Sequence, residues 1–288
     1  MGSAISIEDI VKKTTDLPTI PAAALEVMKM TGAQEANAVK IAGVLAKDQS
    51  LSVRVLRLAN SAFYGLSRQV TDLSEAVVVL GMRTVRNLSM VAATYPWMSR
   101  PLEGYALGPK QLWTHSFGTA LGAQLTARIS RKTTEDLAFT AGLLHDIGKV
   151  AISVWLENRI AMVMQYAQQK GLTFDQAERE ILGYDHTQVG HFLAEDWNLP
   201  EQIALAIRHH HAPDACPNNL AVVDCVHVGN YLTLAMGFGL GADGLRYEFQ
   251  EAALDRLELG VESLDEVTDE FVEGYEKYET MFEELAAA

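Results

Sequence analysis

The stretch Leu143-Leu144-His145-Asp146-Ile147-Gly148-Lys149 places a histidine beside an aspartate inside an apolar run. A buried imidazole or carboxylate is costly unless it is paired or bound to a cation. His115 lies one predicted helix earlier, and His186 and the pair His210-His211 follow later in the chain. Neutral imidazole and carboxylate groups are typical transition-metal ligands. The pattern therefore predicts one buried pocket of the metal-binding type.

The composition limits the class of protein. With 288 residues, 49% of them hydrophobic, the chain is long enough for one large domain or two lobes. The two cysteines, Cys216 and Cys225, form no CxxC pair, which indicates a reducing compartment without disulfide bonds. The start of the sequence has no secretion signal pattern, so we expect a cytoplasmic protein. Polar residues interrupt the apolar run at 220–242, which favours a buried helix over a membrane span.

Charge is distributed unevenly along the chain. Residues 1–134 contain 15 Lys and Arg against 9 Asp and Glu, whereas residues 135–288 contain 8 against 28. A nucleic-acid partner usually requires a clustered basic stripe, and the sequence has none. We therefore expect neither a nucleic-acid partner nor a membrane.

Apolar residues recur at spacings of three and four, and proline is sparse, which predicts an all-α fold. Prolines and glycines between residues 96 and 108 mark a seam between two lobes. The predicted domains are an N-terminal helical lobe at 1–104, a helical lobe with the histidine pocket at 105–236, and an acidic helical extension at 237–288.

Four predicted helices carry the pocket residues. His115 lies on a helix whose same face holds Gly118 and Gly122, which leave room for a neighbouring helix or an ion. One continuous helix over 136–156 is expected to carry the His145-Asp146 pair. His186 opens a helix capped by the preceding aspartate, and His210-His211 close a helix that begins at a proline. The other three histidines are expected to be hydrogen-bonded core residues.

Several motifs resemble the HDOD branch of the HD superfamily of metal-dependent phosphohydrolases, over about residues 10–235. They are Leu17-Pro18-x-Ile20-Pro21, Asp48-Gln49-Ser50-Leu51, Leu56-Arg57-Leu58-Ala59-Asn60-Ser61-Ala62-Phe63-Tyr64-Gly65, Ala76-Val77-Val78-Val79-Leu80-Gly81, Trp197-Asn198-Leu199-Pro200 and Ile207-Arg208-His209-His210-His211. The resemblance implies a two-lobed helical fold and a role in bacterial signalling or regulation. HDOD domains often follow receiver domains and usually lack demonstrated catalysis.

The same resemblance implies ligands for one or two ions of Fe, Mn, Zn or Ni. A first ion would be bound by His115, His145 and Asp146, with the terminal ligand position at Asn230. Asparagine is a neutral, weaker ligand, so this first site would bind metal less tightly, and Asp224 is an alternative ligand. Lys149 would contact a phosphate. The ligands implied for a second ion are Asp146, His186, His210 and His211.

Two functions follow as hypotheses. The first is a regulatory HDOD module that acts through signalling partners such as a receiver domain or a kinase. Its pocket would bind a metal or a nucleotide, and the module could dimerise. The alternative is a metal-dependent phosphohydrolase, with Asp146 and Lys149 as catalytic residues. A Gly-Tyr-Pro element is absent after His211, which counts against cyclic-di-GMP as the substrate.

Overall fold

The structure is a computed structural model that describes residues 7, 10, 19–30, 37–156, 159–239, 241 and 247–286; at 154, 156 and 276–286 it describes the backbone alone. Every regular element in these ranges is a helix, which confirms the predicted all-α fold. The only extended pairing among them is an isolated bridge between Leu102 and Leu107. The Leu17-Pro18 part of the first motif lies outside the described residues.

The described chain divides into two compact units, one of residues 7, 10 and 98–271 and one of residues 19–97 with 272–286. In the second unit, side chains that precede three helices accept hydrogen bonds from the first helical turn: Asn37, Asp48 and Asp72 cap α2, α3 and α4 in this way. The helices up to the division are α1 (Ala22–Met30), α2 (Ala38–Leu45), α3 (Gln49–Ala59), α4 (Leu73–Leu80) and α5 (Met82–Met98).

Helix α5 runs through Pro96, where the sequence indicates a seam. The proline costs one helical hydrogen bond because it has no N–H. Tyr95, Trp97 and Met98 are all buried, so packing of the last turn offsets that cost. Tertiary burial thus overrides the local preference of proline at this position.

The unit at 98–271 holds the predicted pocket. Its long helix α6 is buried along nearly its whole length and packs against α7 and α13. The helices of this unit are α6 (Gln111–Ser130), α7 (Glu135–Leu144), α8 (Ile147–Leu156), α9 (Ile160–Lys170), α10 (Phe174–Leu182), α11 (His186–Asp196), α12 (Glu201–His209), α13 (Ala221–Ala235), α14 (Ala252–Leu257) and α15 (Val261–Ala286, up to residue 271).

The predicted continuous helix over 136–156 is wrong. The chain breaks at His145 and Asp146, between α7 and α8. Directly after the break the chain lies close to α11: a Cβ placed on Gly148 would lie 1.9 Å from the carbonyl oxygen of His186. The start of α8 therefore packs against the backbone of α11. The turn between the two helices carries the HD pair.

The acidic extension belongs to this same unit up to residue 271. Leu257, Val267 and Phe271 are buried, so the apolar stripe of the extension faces the core. Ion pairs join Arg128 to Glu270 and Lys132 to Glu258 at its surface. Exposed pairs of this kind contribute about 0–1 kcal/mol each, so the buried apolar contacts dominate.

None of the described helices combines the length and the apolar run that crossing a bilayer requires.

Candidate metal centre

Asp146 is the centre of the pocket. It sits in the turn between α7 and α8 and is fully buried, as is the neighbouring His145. His115 reaches the turn from α6, and His186 reaches it from the first position of α11. His210 and His211 arrive directly after α12. The structure brings the predicted residues into two ligand groups that share Asp146: His115, His145 and Asp146 in one, and Asp146, His186, His210 and His211 in the other.

The two carboxylate oxygens of Asp146 face different groups. Oδ1 lies 3.6 Å from Nε2 of His186 and 3.6 Å from Nε2 of His210. Oδ2 accepts a hydrogen bond from Nζ of Lys149 at 2.6 Å and lies 3.3 Å from Nε2 of His145. The carboxylate therefore bridges the two groups, with Lys149 on one side only.

Hydrogen bonds at Nδ1 orient three of the histidine rings. His145 Nδ1 lies 2.7 Å from the carbonyl oxygen of Gly142, and His210 Nδ1 lies 2.9 Å from that of Ile207. His186 Nδ1 lies 2.7 Å from Glu178 Oε2. Because these acceptors require a proton on Nδ1, each of these rings in its neutral form would turn the Nε2 lone pair toward Asp146. This arrangement fits the donor set of a divalent transition metal.

Glu178 on α10 is a candidate supporting residue that the sequence did not predict. Besides the ring of His186, it accepts from the backbone N–H of His186 at 3.1 Å and from the hydroxyl of Tyr105 at 2.5 Å. It is fully buried between Phe174 and Leu182 on the apolar face of its helix. The feature of the sequence that indicates such a residue is a glutamate on an otherwise apolar helix face. Carboxylates behind ligating histidines fix the ring orientation and raise ligand basicity.

At a pH near 9, where the proton on His186 no longer competes strongly with the metal, replacing Glu178 with glutamine is expected to weaken metal binding by about 10–100-fold, the usual effect of losing such a supporting carboxylate. Glutamine keeps the shape but removes the charge that holds the Nδ1 proton of His186. Titration of the purified protein with Zn²⁺ or Mn²⁺ measures the change. The matched control is Glu180→Gln on the exposed face of the same helix. Equal affinities for the two variants would contradict a role for Glu178 at the metal centre.

The pKa values of the cluster residues favour metal binding. Burial opposes the charge of Asp146, but His145 and Lys149 outweigh it and hold the pKa of the carboxyl well below its ordinary value. Burial, together with the neighbouring His145, holds the pKa of His210 well below the usual range. Burial and His210 do the same for the pKa of His211. These two imidazoles are therefore neutral and ready to act as ligands at neutral pH.

His186 differs, because burial lowers its pKa but the adjacent Glu178 more than compensates and raises it to about 9. In the metal-free protein the protonated ring stabilises the fold below pH 6.5, and this contribution is lost as pH rises through about 9. Metal binding must displace the proton. We expect metal affinity to rise by up to about tenfold per pH unit between pH 6.5 and 9. Calorimetric titration at several pH values tests this, and a flat profile would contradict it.

Asn230 and Asp224 occupy different environments on α13. Asn230 is buried, and its Oδ1 accepts no hydrogen bond within the described residues. Asp224 pairs with Arg256, with N–O distances of 2.6 and 3.0 Å, and belongs to neither ligand group. The alternative in which Asp224 replaces the terminal ligand is therefore wrong, because its carboxylate is engaged by the arginine of α14.

The glycines that follow His115 make room for a helix. A Cβ on Gly122 would lie 2.8 Å from the Cα of Gly229, and one on Gly118 would lie 2.7 Å from the side chain of Thr233. Helix α13 therefore fills the space beside α6. Of the two uses that the sequence left open for these glycines, helix packing is the one observed.

Residues 247–250 cover the remaining side of the cluster. The ring of Tyr247 stacks on His211, with centroids 3.8 Å apart and planes 5° from parallel. Gln250 donates its backbone N–H to His227 Nε2, and His227 Nδ1 donates to the carbonyl oxygen of His210. His227 is thus a hydrogen-bonded core histidine, as expected. His211, although partly exposed, has its outer face covered by an aromatic ring.

Comparison with known proteins agrees with this fold. The family model for the HDOD domain matches residues 17–213. An HDOD domain protein of unknown function from Geobacter sulfurreducens is 27% identical, with a TM-score of 0.70 over 98% of this chain and 95% of that one. A structure from Marinobacter aquaeolei VT8, provisionally assigned to signal transduction, is 24% identical, with a TM-score of 0.75 over 96% of this chain and 61% of that one.

An uncharacterized protein from Treponema pallidum (strain Nichols) is 28% identical over 213 residues, or 72% of this chain. The chain spans 39% of the length of that relative. The helical architecture and the buried His/Asp cluster define an all-α protein with a candidate metal centre. The chain belongs to the HDOD domain family, as the sequence motifs predicted.

Proposed function

We propose that this protein is a regulatory HDOD module that acts in bacterial signalling through protein partners and binds a divalent transition metal as a structural or sensory element. The observation that carries the proposal is the closure of the pocket. His145, Asp146, His186 and His210 are fully buried, and Tyr247 stacks on the one ligand candidate that is partly exposed. A phosphoester substrate needs an open concave face beside the metal.

The family relation supports a signalling role. The Marinobacter aquaeolei protein, whose fold this chain shares, is provisionally assigned to signal transduction. A receiver domain or a kinase is the kind of partner that this role implies, and a nucleotide ligand or dimerisation would be compatible with it. The compartment implied by such partners is the cytoplasm.

Two measurements test the proposal. Metal-loaded protein should hydrolyse neither cyclic-di-GMP nor bis-p-nitrophenyl phosphate above the metal-free rate, and a kcat of about 1 per second or more would refute it, since that lies in the ordinary enzyme range. Photo-crosslinking in cells should recover a specific signalling protein. That protein, once purified, should bind the metal-loaded module more tightly than the EDTA-treated one. Equal affinities would remove the sensory role.

The second candidate is a metal-dependent phosphohydrolase acting on a nucleotide or phosphoester. It is favoured by the complete second ligand group and by Lys149, whose ammonium lies beside the shared carboxylate of Asp146. A bound ion would supply Lewis-acid polarisation of a phosphoryl oxygen. In this role Asp146 holds the ion and Lys149 orients a phosphate, after residues 247–250 have moved away from His211. Turnover in the hydrolysis assay would favour this function.

A further inference from the structure

We infer that the pocket holds one metal ion and not two. The ion lies on the Oδ1 side of Asp146, where His186, His210 and His211 complete the ligand set. The ammonium of Lys149 replaces a second metal ion on the Oδ2 side. The inference rests on the metal binding of the proposed function and assigns it to one of the two ligand groups.

The Oδ1 side has no lysine or arginine donor among the described residues. Asp146 Oδ1 accepts no hydrogen bond within the described residues, although its residue is fully buried. Nε2 of His211 lies 3.0 Å from Nε2 of His186 and 3.0 Å from Nε2 of His210. Three imidazole nitrogens and a carboxylate oxygen thus converge on one point. Such a group is stabilised only when a proton or a metal ion lies among the lone pairs.

The Oδ2 side already contains a cation. Lys149 is buried, and its Nζ donates to Oδ2 at 2.6 Å. A metal ion bound there by His115 and His145 would have to displace the ammonium from its carboxylate. It would also gain only the neutral amide of Asn230 at the terminal ligand position implied by the family pattern. The ligand set on the Oδ2 side is therefore weaker, and the ammonium of Lys149 already occupies the position of an ion.

The charge of the buried groups points the same way. Among the carboxylates and ammonium groups bonded directly to Asp146 or to a ligand ring, Asp146 and Glu178 supply two negative charges, and Lys149 supplies one positive charge. One divalent ion would leave the pocket with one net positive charge, whereas two ions would leave three. Charge buried without compensation costs several kcal/mol per ion, so the single-ion state is favoured.

A single ion with four protein ligands has a structural consequence. Zinc sites with four protein ligands are usually structural, whereas catalytic zinc sites keep one position open for water or substrate. The ion would tie the turn at Asp146 to the start of α11, at His186, and to the end of α12, at His210 and His211. Its loss would loosen these three segments together, which is a suitable basis for sensing metal.

Metal stoichiometry and affinity of three proteins test the inference: the wild type, His115→Gln and His211→Gln. Each is stripped with EDTA, loaded with Zn²⁺, desalted and analysed by mass spectrometry, and circular dichroism checks the fold. We expect one ion per chain in the wild type and in His115→Gln, with affinities within about fivefold. In His211→Gln we expect a loss of more than about 100-fold, beyond that of a supporting residue. Zn²⁺ should raise Tm only in the first two.

Other outcomes separate the inference from the proposed function. Two ions in the wild type, or loss of binding in His115→Gln with retention in His211→Gln, would overturn the single-ion assignment and leave metal binding intact. No stoichiometric ion in the wild type after loading with Zn²⁺, Mn²⁺, Fe²⁺ or Ni²⁺ would overturn both.

Lys149→Met tests the second half of the inference. Removing the ammonium frees Oδ2 and lowers the positive charge of the pocket, so we expect a second ion to bind more weakly than the first, and the stoichiometry to rise from one to two when Zn²⁺ is in excess. A stoichiometry that stays at one would show that Lys149 is not what closes the Oδ2 side, which would overturn that assignment.

Discussion

Replacing Gly148 with alanine is expected to lower the free energy of unfolding by about 3 kcal/mol or more, because a Cβ at this position has no space. It would lie 1.9 Å from the carbonyl oxygen of His186 and 2.7 Å from the backbone nitrogen of Gly190. Both are backbone atoms at the start of α11, so no side chain can rotate away. The two helices must separate, and the separation would move His186 away from Asp146. Metal affinity should therefore fall with stability.

The matched control is Gly43→Ala in α2, a helical glycine that is exposed and where an added Cβ would have no neighbour within 4 Å. Alanine there should stabilise the protein by about 0.5–1 kcal/mol, since glycine is the poorer helix former. Urea unfolding of both variants and the wild type, without metal, measures the difference. A Gly148→Ala protein as stable as the wild type would show that α8 and α11 are not in close backbone contact.

Replacing Asp146 with asparagine is expected to abolish stoichiometric metal binding and to cost about 3–5 kcal/mol of stability in the metal-free protein. The metal loses its only carboxylate ligand. The stability loss has a separate cause, because Lys149 remains buried and loses the carboxylate that neutralises it. Breaking a buried ion pair by removing one partner leaves an uncompensated charge.

The double variant Asp146→Asn with Lys149→Met separates these causes. Removing both charges should recover most of the lost stability, since a buried pair replaced by neutral groups is often tolerated. Metal binding should stay absent. A double-mutant cycle from urea unfolding in EDTA gives the coupling between the two residues. A double variant as unstable as the single one would show that Lys149 and Asp146 are not coupled in solution.

The helical class and the identity of the pocket residues were available from the sequence by itself. Apolar spacing of three and four residues reports which side of a helix is buried, so the helices could be predicted without any partner in view. The His145-Asp146 pair in an apolar run needed a counter-charge or a cation, and the other four histidines lay on helices that could reach it. The family motifs agreed with both predictions.

Only the tertiary structure decided which element packs against each buried helix face. An apolar run reveals neither the break at Asp146 nor the backbone contact between Gly148 and α11 that follows it. The supporting contact of Glu178 depends on the packing of α10 against His186, which the sequence does not show. The two oxygens of Asp146 are equivalent in a sequence; they differ here because Lys149 packs on one side and three imidazoles on the other. Periodicity gives the direction of a side chain along its own helix, whereas distances between helices arise from packing of the whole core.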